Sequence, residues 1–349
     1  MNHGITTIAS LADLDAFDTI IDVRSPAEFA EDRIPGAINC PVLDNEQRVQ
    51  IGTLYKQVSP FEAKKLGAAL VAENIARHLR GQFLDRPKSW RPLIYCWRGG
   101  QRSGAMTTVF RQIGWNAQQL EGGYKTYRGQ VLRELETLPC RYTYRVICGS
   151  TGSGKSRILQ QLGALDAQIV DLEALASHKG SVLGVLPEAP QPTQKMFESQ
   201  LRLALLALDP AQPVYIEAES RKIGVLQVPE ALLQAMRSSE CLNVVAGTAA
   251  RVEFLLRDYD YFLADPEGLN SRLAVLKNLQ SRETIARWQA WARSGQWREL
   301  VGELLEQHYD PLYLRSQNRN YTGFGEPRSF PTDDLSPAGI ERVARDILR

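Results

Sequence analysis

The stretch that decides the fold of the first half of the chain is Pro92-Leu93-Ile94-Tyr95-Cys96-Trp97-Arg98-Gly99-Gly100-Gln101-Arg102-Ser103. The apolar residues that open it predict a short buried strand, and residues 104–110 predict the start of a helix. A cysteine between a strand and a helix N-terminus lies where loop amides and the helix dipole favour negative charge. Arg98 and Arg102 add positive charge, so we expect a lowered pKa for Cys96 and a nucleophilic thiolate. The alternative is a buried structural cysteine beside two helix-capping arginines.

Strands and helices are predicted to alternate on both sides of this loop. Residues 19–23 form an apolar run typical of a buried strand, and residues 34–39 predict a turn into another. Apolar residues recur with helical spacing over 62–79, and residues 117–124 predict a last strand and turn. This alternation predicts a parallel α/β sheet, in which ligands bind at the C-terminal ends of the strands, where Cys96 lies.

Four motifs around this sheet resemble the rhodanese family over roughly residues 8–137. They are Asp22-Val23-Arg24-Ser25-Pro26-Ala27-Glu28-Phe29, Arg33-Ile34-Pro35-Gly36-Ala37-Ile38-Asn39, the Cys96 loop and Glu121-Gly122-Gly123-Tyr124. The resemblance implies that the loop cysteine carries sulfur or selenium as a persulfide-type adduct. The loop from Cys96 to Arg102 is longer than in common sulfur-transferring rhodaneses. Because CX5R is also the phosphatase spacing, phosphate chemistry and a bulkier selenium adduct both remain open.

A second strand–loop–helix unit follows a predicted linker over residues 138–143. Residues 144–148 predict its strand and residues 156–162 its helix, and the pattern GxxxxGKS between them is that of a P-loop in the context it requires. The backbone amides would wrap a diphosphate, Lys155 would neutralise its charge, and Ser156 is positioned to hold Mg²⁺. We therefore predict a phosphate-binding loop made by Gly149, Ser150, Thr151, Gly152, Ser153, Gly154, Lys155 and Ser156.

Two further strands of this unit are predicted to end in charged residues. Residues 168–173 predict a strand ending in carboxylates, and residues 213–222 predict another. Glu217 stands where P-loop proteins place the acid that positions water or metal. Arg221 and Lys222 would add positive charge beside the phosphate site, although a solvated turn is the alternative for both.

From about residue 249 the chain is predicted to be helical and more basic. Between residues 269 and 320, eight Lys and Arg residues outnumber five acidic ones. Cations interleaved with aromatic rings suit single-stranded RNA, whose phosphates pair with cations and whose bases stack on rings. The alternative for Trp288 and Trp291 is that they form the core stripe of one helix. The aromatic residues concerned are Trp288, Trp291, Trp297, Tyr309, Tyr313 and Tyr321.

Composition narrows the class of protein. The 349 residues contain 44% hydrophobic residues, enough for two or more cores. We find no apolar run long enough to span a membrane and no basic and apolar signal-peptide pattern, so we expect a cytoplasmic protein without a membrane partner. Five scattered cysteines without CxxC spacing argue against a disulfide framework or a zinc site. Because the net charge is only +1, nucleic acid would have to bind a local patch.

The pairing of a rhodanese-like domain with a P-loop resembles the bacterial tRNA 2-selenouridine synthase family over nearly the whole chain. Besides the two loops, the motifs that carry the resemblance are Gln191-Pro192-Thr193-Gln194-Lys195, Glu217-Ala218-Glu219-Ser220-Arg221-Lys222-Ile223-Gly224 and His308-Tyr309-Asp310-Pro311-Leu312-Tyr313. The resemblance implies an enzyme that attaches a geranyl group from geranyl diphosphate to the sulfur of wobble 2-thiouridine in certain tRNAs. It further implies that selenium from selenophosphate then replaces the S-geranyl group.

These considerations together define one set of expectations. We predict an α/β fold: a rhodanese-like parallel α/β domain (1–137), the linker (138–143), a P-loop NTPase-like α/β domain (144–265) and a basic helical C-terminal extension packed on it (266–349). The expected catalytic residues are Cys96, Arg98 and Arg102, with no tightly bound cofactor and no metal site other than Mg²⁺ at Ser156. The expected partners are tRNA and a selenophosphate-producing enzyme, with the chain acting as a monomer.

Two other functions remain open at this stage. One is a P-loop nucleotide-dependent kinase with a rhodanese- or phosphatase-like domain, which ATP turnover without tRNA would favour. The other is a nucleotide-switched binding protein with the rhodanese domain as a scaffold. Full function after Cys96→Ser would favour that switch.

Overall fold

The computed structural model describes residues 7–181, 183–187, 189–320 and 327–349, and the side chains of all of these except 316–320. The chain forms two compact units, Met1–Arg133 and Glu134–Arg349, and the boundary falls within one helix, Gly123–Thr137. Within the described ranges, every helix is too short or too polar to cross a lipid bilayer.

The first unit is built on a five-stranded sheet whose neighbouring strands are all parallel. The strand order is β1-β5-β4-β2-β3, so β4, which delivers Cys96, is central. All four residues of β4 are buried, as expected for a parallel sheet covered on both faces. The strands are β1 (Ile8–Ala9), β2 (Thr19–Asp22), β3 (Ile38–Asn39), β4 (Pro92–Tyr95) and β5 (Gln118–Leu120).

Four α-helices lie between these strands and a fifth follows the last strand, and the starts of two of them follow from local sequence. Ser25 and Ser59 cap α1 and α3, each with proline at the first helical position. The helix predicted over 62–79 is confirmed as α3. Helix α2 is not predicted from the sequence. None of its residues is buried in the structure. The helices are α1 (Pro26–Glu31), α2 (Asn45–Gln57), α3 (Pro60–His78), α4 (Gln101–Ile113) and α5 (Gly123–Thr137).

The segment predicted as a linker over 138–143 is packed. Helix α5 runs directly into a 3-10 turn, Leu138–Arg141. Leu138 and Pro139 in this turn are buried. The chain therefore passes from the first sheet to the second through a helix and a turn rather than through an extended linker.

The second unit contains another five-stranded parallel sheet, in the order β12-β11-β6-β8-β7. Strand β6 is central and runs into the P-loop, while β8 beside it ends in Glu217. A short hairpin, β9 with β10, follows β8. The strands are β6 (Tyr144–Cys148), β7 (Gln168–Val170), β8 (Val214–Glu217), β9 (Lys222–Ile223), β10 (Leu226–Gln227), β11 (Glu240–Ala246) and β12 (Arg328–Thr332).

The final residues belong to this sheet and its cover, which corrects the prediction of a purely helical extension over 266–349. Strand β12 pairs along its whole length with β11. The terminal helix predicted over 336–348 is confirmed, and it packs on the helix that follows the P-loop. The sequence of β12 did not predict a strand because it contains Pro331, a residue that sheets tolerate chiefly at an edge. The helices of this layer are α6 (Lys155–Ala164), α7 (Leu172–Ala176), α8 (Gln194–Leu206), α9 (Glu230–Arg237) and α16 (Pro337–Leu348).

Between β11 and β12 the chain makes a long helical excursion. We call its last five helices, α11–α15, the helical module. Its apolar core includes the fully buried Trp288 together with Leu273, Leu276 and Leu304. The helices of the excursion are α10 (Thr248–Asp258), α11 (Asp260–Ala264), α12 (Pro266–Leu273), α13 (Arg282–Ser294), α14 (Trp297–Leu304) and α15 (Asp310–Asn320).

Candidate functional site

Cys96 lies at the C-terminal end of the central strand of the first sheet, and its side chain is buried. Its Sγ accepts two hydrogen bonds. The backbone N–H of Gly100 donates over 3.3 Å and the Ser103 hydroxyl over 3.2 Å. A loop N–H group and a hydroxyl group therefore both point at the sulfur.

The same contacts set the ionisation of the thiol. Burial raises the pKa of Cys96, but hydrogen bonds from the Ser103 hydroxyl and from the backbone of Ser103 and Gly100 lower it more, with help from the charge of Arg102. The net result is a pKa below the ordinary thiol value, so the thiolate fraction is larger than that of an ordinary cysteine at the same pH. The direction agrees with the sequence prediction, but the largest favourable contribution comes from Ser103, to which no role was assigned.

Ser103 is itself held in place by a residue from another strand. The Gln119 side chain on β5 donates to Ser103 Oγ over 2.8 Å and to the Gly100 carbonyl over 3.1 Å. Neither role could be read from local sequence. The direction of the Ser103 hydroxyl depends on the phase of α4, and Gln119 reaches the loop only because β5 pairs with β4.

The two arginines of the loop have different environments. Arg102 forms an ion pair with Glu28 of α1, with 2.7 Å between Nη1 and Oε2, and both side chains are largely buried. Burial raises the pKa of Glu28, but Arg102 lowers it more. Arg98 is exposed. The structure therefore ties Arg102 to the scaffold of the loop and leaves Arg98 directed at solvent.

A buried ionic network supports the loop from below. Asp22 and Arg24 are both fully buried and pair at 2.6 Å, and Arg24 also donates to the Asp32 carbonyl over 2.6 Å. The guanidinium lies 4.0 Å from the ring centroid of Tyr124, whose hydroxyl donates to Asp32 over 2.8 Å. The family motifs that contain these residues thus build the floor of the loop.

Gly123 closes the loop from the opposite side. Its φ is +61°, and a Cβ there would lie 2.3 Å from the Cys96 carbonyl oxygen. The following residue, Tyr124, donates its backbone N–H to that same carbonyl over 2.8 Å. Only glycine allows this approach without displacing the cysteine loop.

The P-loop occupies the corresponding position in the second unit. It connects β6 to α6 and borders a cavity of about 540 Å³. Lys155 Nζ donates to the Gly149 carbonyl over 2.8 Å, and the Gly149 N–H donates to the Tyr313 hydroxyl over 2.5 Å. The P-loop residues that line this cavity include Gly152, Gly154, Lys155 and Ser156.

Three carboxylates meet at the end of this loop. The Ser156 hydroxyl oxygen lies 2.6 Å from Glu173 Oε2 and 2.8 Å from Glu217 Oε2. Oxygens of Glu173, Glu217 and Glu219 all lie within 4.8 Å of one another. Burial and the neighbouring Glu173 raise the pKa of Glu217 well above its usual value and that of Glu219 to about 8. One hydroxyl proton cannot serve two carboxylates, so a proton held by one of them completes the pattern.

This oxygen cluster fits a divalent cation. Glu217 is fully buried, and its Oε1 has no hydrogen-bond partner among the described residues. Oxygen-only donors are the set that Mg²⁺ and Ca²⁺ prefer. Sequence reasoning named Ser156 and Glu217 but missed Glu173 and Glu219 as members of the cluster, because their meeting depends on the pairing of β7 with β8.

The segment His308–Tyr313, one of the motifs behind the family resemblance, reaches the P-loop from the helical module. Asp310 forms an ion pair with Arg251 at 2.6 Å, and Arg251 Nε donates to the Thr151 carbonyl over 2.8 Å. Tyr313 contacts Gly149 as described, and His308 and Tyr309 line the cavity. The motif therefore positions the P-loop backbone and forms one wall of its cavity.

Comparison with known proteins places both loops in one family. A family model described as the rhodanese-like domain matches residues 7–130, and one described as the AAA domain of tRNA 2-selenouridine synthase matches residues 142–266. The chain belongs to the tRNA 2-selenouridine synthase family. Curated proteins with that name include one from Alcanivorax borkumensis, 32% identical over 84% of this chain and 88% of its own. Another, from Nitrosomonas europaea, is 36% identical over 77% of this chain and 70% of its own.

The two cations predicted beside the phosphate site lie elsewhere in this family member. Arg221 and Lys222 are exposed at the start of the β9–β10 hairpin and are not among the residues that line the P-loop cavity. Gln191 and Gln194 hold that hairpin. Gln191 accepts from the Val225 N–H over 2.9 Å, and Gln194 accepts from the Gln227 N–H over 2.8 Å. A cation that sequence reasoning missed, Lys179, lines the cavity instead.

In the basic and aromatic segment, two tryptophans pack in or against an apolar core and two arginines form ion pairs. Trp288 is fully buried and Trp291 packs against the same core, which supports the core-stripe alternative for this pair. Arg287 pairs with Glu303, and Arg293 pairs with Glu267. The RNA-binding prediction for Tyr321 and for the Arg319 side chain falls outside the described residues.

Proposed function

We propose that this chain converts wobble 2-thiouridine of tRNA into 2-selenouridine in two steps, in the cytoplasm and as a monomer. Its relatives carry the name of that activity. The observation that carries the proposal is the presence of two different anion-binding loops in one chain. One presents a thiol to N–H and O–H donors, and the other combines P-loop amides with Lys155 and an oxygen cluster.

The P-loop is proposed to serve the first step, transfer of a geranyl group. The thiouridine sulfur bonds to C1 of geranyl diphosphate, the C1–O bond breaks, and diphosphate leaves while the base loses its N3 proton. Amides of the P-loop and Lys155 face the cavity where the charge of the leaving group grows, so they would stabilise it most in the transition state.

We further propose that Mg²⁺ binds beside this site. Ser156, Glu173, Glu217 and Glu219 would hold it, and the unpartnered Oε1 of Glu217 supports that assignment. When bound, the cation adds positive charge next to the diphosphate. The chain's own residues still orient the substrate, because Arg251 and Tyr313 fix the loop backbone through Thr151 and Gly149.

The Cys96 loop is proposed to serve the second step, exchange of sulfur for selenium. Selenium of selenophosphate bonds to C2 of the base, the C2–S bond breaks and geranylthiol leaves. Water then takes the phosphoryl group from selenium as phosphate. The exposed Arg98 beside Cys96 suits an anionic selenium donor, and a selenophosphate-producing enzyme is the expected supplier.

Mass spectrometry of tRNA nucleosides tests this proposal. Cells that carry Cys96→Ala in place of the native chain should lose 2-selenouridine and accumulate S-geranyl-2-thiouridine. A matched control is Cys140→Ala, which removes an exposed thiol and should leave both nucleosides unchanged. Loss of both products in folded Cys96→Ala would refute the division of labour. ATP turnover without tRNA would support a kinase instead, and full function of Cys96→Ala would support a switch protein.

A further inference from the structure

A second, smaller cavity of about 70 Å³ adjoins the P-loop cavity. Its walls are mostly apolar, and its polar contributions come chiefly from Thr151, Ser181 and the ends of aromatic side chains. The residues shared by the two cavities are Thr151, Ser181, Leu255, Tyr259 and Tyr309. The two cavities are therefore neighbours that share part of their walls, one suited to a charged head and the other to an apolar tail.

Leu255 forms the junction between them. It packs directly on the P-loop at Gly152, where an added Cβ would lie 2.8 Å from Leu255 Cδ1. The backbone of Gly152 has φ of +80°, so both this conformation and the contact with Leu255 favour glycine at this point. An alkyl chain attached to a phosphate in the loop would meet this side chain first.

The far wall of the cavity belongs to the core of the helical module. Leu269, Leu300 and Leu304 line it and are each almost fully buried in that core. Val301 also lines the cavity, and it is only partly buried. Because packed cores change volume reluctantly, such a wall can measure the length of an inserted chain.

We propose that the terminal isoprene unit of a prenyl diphosphate enters this apolar cavity, so that Leu255, Val301 and Leu304 select the donor by chain length. The inference rests on the proposed use of the P-loop for a prenyl diphosphate. The diphosphate and the first isoprene unit occupy the larger cavity, whose wall also includes the apolar Phe254 and Leu312. The P-loop thus supplies affinity for the head, and the helical module supplies selectivity for the tail.

Two opposite substitutions in the full chain test the idea. Val301→Phe should fill the cavity and lower kcat/KM for geranyl diphosphate at least about tenfold relative to the five-carbon dimethylallyl diphosphate. Leu304→Ala should enlarge it and shift the preference towards the fifteen-carbon farnesyl diphosphate. Leu276→Ala is the matched control, since it removes the same atoms from the same core without touching the cavity. Ratios between donors are used because they do not depend on the fraction of folded enzyme.

Unchanged donor ratios in both cavity variants would overturn the inference. If the native chain transfers no prenyl group from any donor, the proposed function fails, and binding then decides the inference separately. Calorimetry would compare geranyl diphosphate with inorganic diphosphate. A preference for the former that disappears in Val301→Phe supports the cavity as an alkyl site, whereas no preference, or one that persists, refutes it.

Discussion

The Cys96 loop and the P-loop have the same place in their sheets, between a central strand and a helix, but present different chemical groups. Each leaves the central strand of a five-stranded parallel sheet and leads directly into a helix. In the first, the amides and a hydroxyl point at a thiol sulfur that belongs to the protein. In the second, loop residues and Lys155 line a cavity that we propose for an external diphosphate. The side chain at the loop decides whether the loop holds its own anion or a ligand.

The supporting charges differ in the same way. Beneath the Cys96 loop, Asp22 and Arg24 neutralise each other in a buried pair. Beside the P-loop, Glu173, Glu217 and Glu219 lie together, with pKa values raised by burial and mutual repulsion. The first arrangement is complete within the protein, whereas the second is the site at which we propose that a cation binds.

The largest effect is expected for Lys155→Ala, which should weaken ligand binding at the P-loop and leave the Cys96 loop unchanged. Lys155→Ala removes a cation from the phosphate cavity, and charge-assisted hydrogen bonds of this kind correspond to about 10- to 150-fold in affinity. We expect that loss for geranyl diphosphate, measured by calorimetry, with an unchanged ionisation of Cys96. Lys222→Ala is the control, an exposed cation outside the cavity wall. An equal loss in Lys222→Ala would mean that the β9–β10 hairpin closes over the ligand.

The next effect concerns the carboxylate cluster. Glu217→Gln should weaken Mg²⁺ binding by roughly 10- to 100-fold, whereas the exposed Glu299→Gln should not. Because raised pKa values leave protons on the cluster at neutral pH, Mg²⁺ must displace them. Its affinity should therefore rise with pH up to about 8, the pKa of Glu219. Calorimetry in two buffers of different ionisation enthalpy measures the released protons, and a pH-independent affinity would contradict this account.

A smaller effect tests the thiol loop. Ser103→Ala removes a hydroxyl that donates to Cys96 Sγ, and one such bond contributes about 1 kcal/mol. The pKa of Cys96 should rise, which would lower the thiolate fraction near neutral pH several-fold. Ultraviolet thiolate absorbance across pH, taken as a difference from Cys96→Ala, measures this. Thr108→Ala on the same helix is the control, since its hydroxyl bonds only to the Gly104 carbonyl. An unchanged titration would contradict this account and leave the backbone N–H groups and the charge of Arg102 as the causes of the lowered pKa.

A further prediction tests whether tRNA binds the basic residues of the helical module. We expect replacement of Arg282, Arg287 and Arg293 together to lower tRNA affinity by about one order of magnitude and to flatten its salt dependence. The effect should be modest because Arg287 and Arg293 already pair with glutamates. Both nucleoside products should fall equally, while binding of inorganic diphosphate stays constant. Normal tRNA affinity at moderate salt would place the RNA surface elsewhere, with Arg221, Lys222 and Arg315 as the next candidates.

The sequence predicted both loops because each is encoded locally. A strand, a glycine-containing turn and a helix follow one another within about twenty residues, and the chemical groups lie in the turn. The lowered pKa of Cys96 and the cavity at Lys155 follow from that local order. Sequence reasoning was therefore most successful where backbone geometry and chemistry share one short segment.

The remaining features depend on which strands become neighbours. Glu173 meets Glu217 and Glu219 only once β7 and β8 are paired, and Gln119 reaches Ser103 only from β5 beside β4. The pairing of β12 with β11 also depends on strand order, and local sequence does not predict β12 as a strand because it contains Pro331. Local patterns cannot predict these meetings, since strand order is a property of the whole sheet.

The long excursion between β11 and β12 has a consequence for synthesis on the ribosome. Every strand of the first sheet lies within residues 8–120, so that sheet can form early in translation. In the second sheet, β11 lacks its outer neighbour, β12, until residues 328–332 have emerged from the ribosome, after the whole helical module. During that interval the edge of β11 is unpaired and available to other chains. Slow codons or chaperone contacts within the module should therefore affect the yield of the P-loop unit far more than that of the thiol unit.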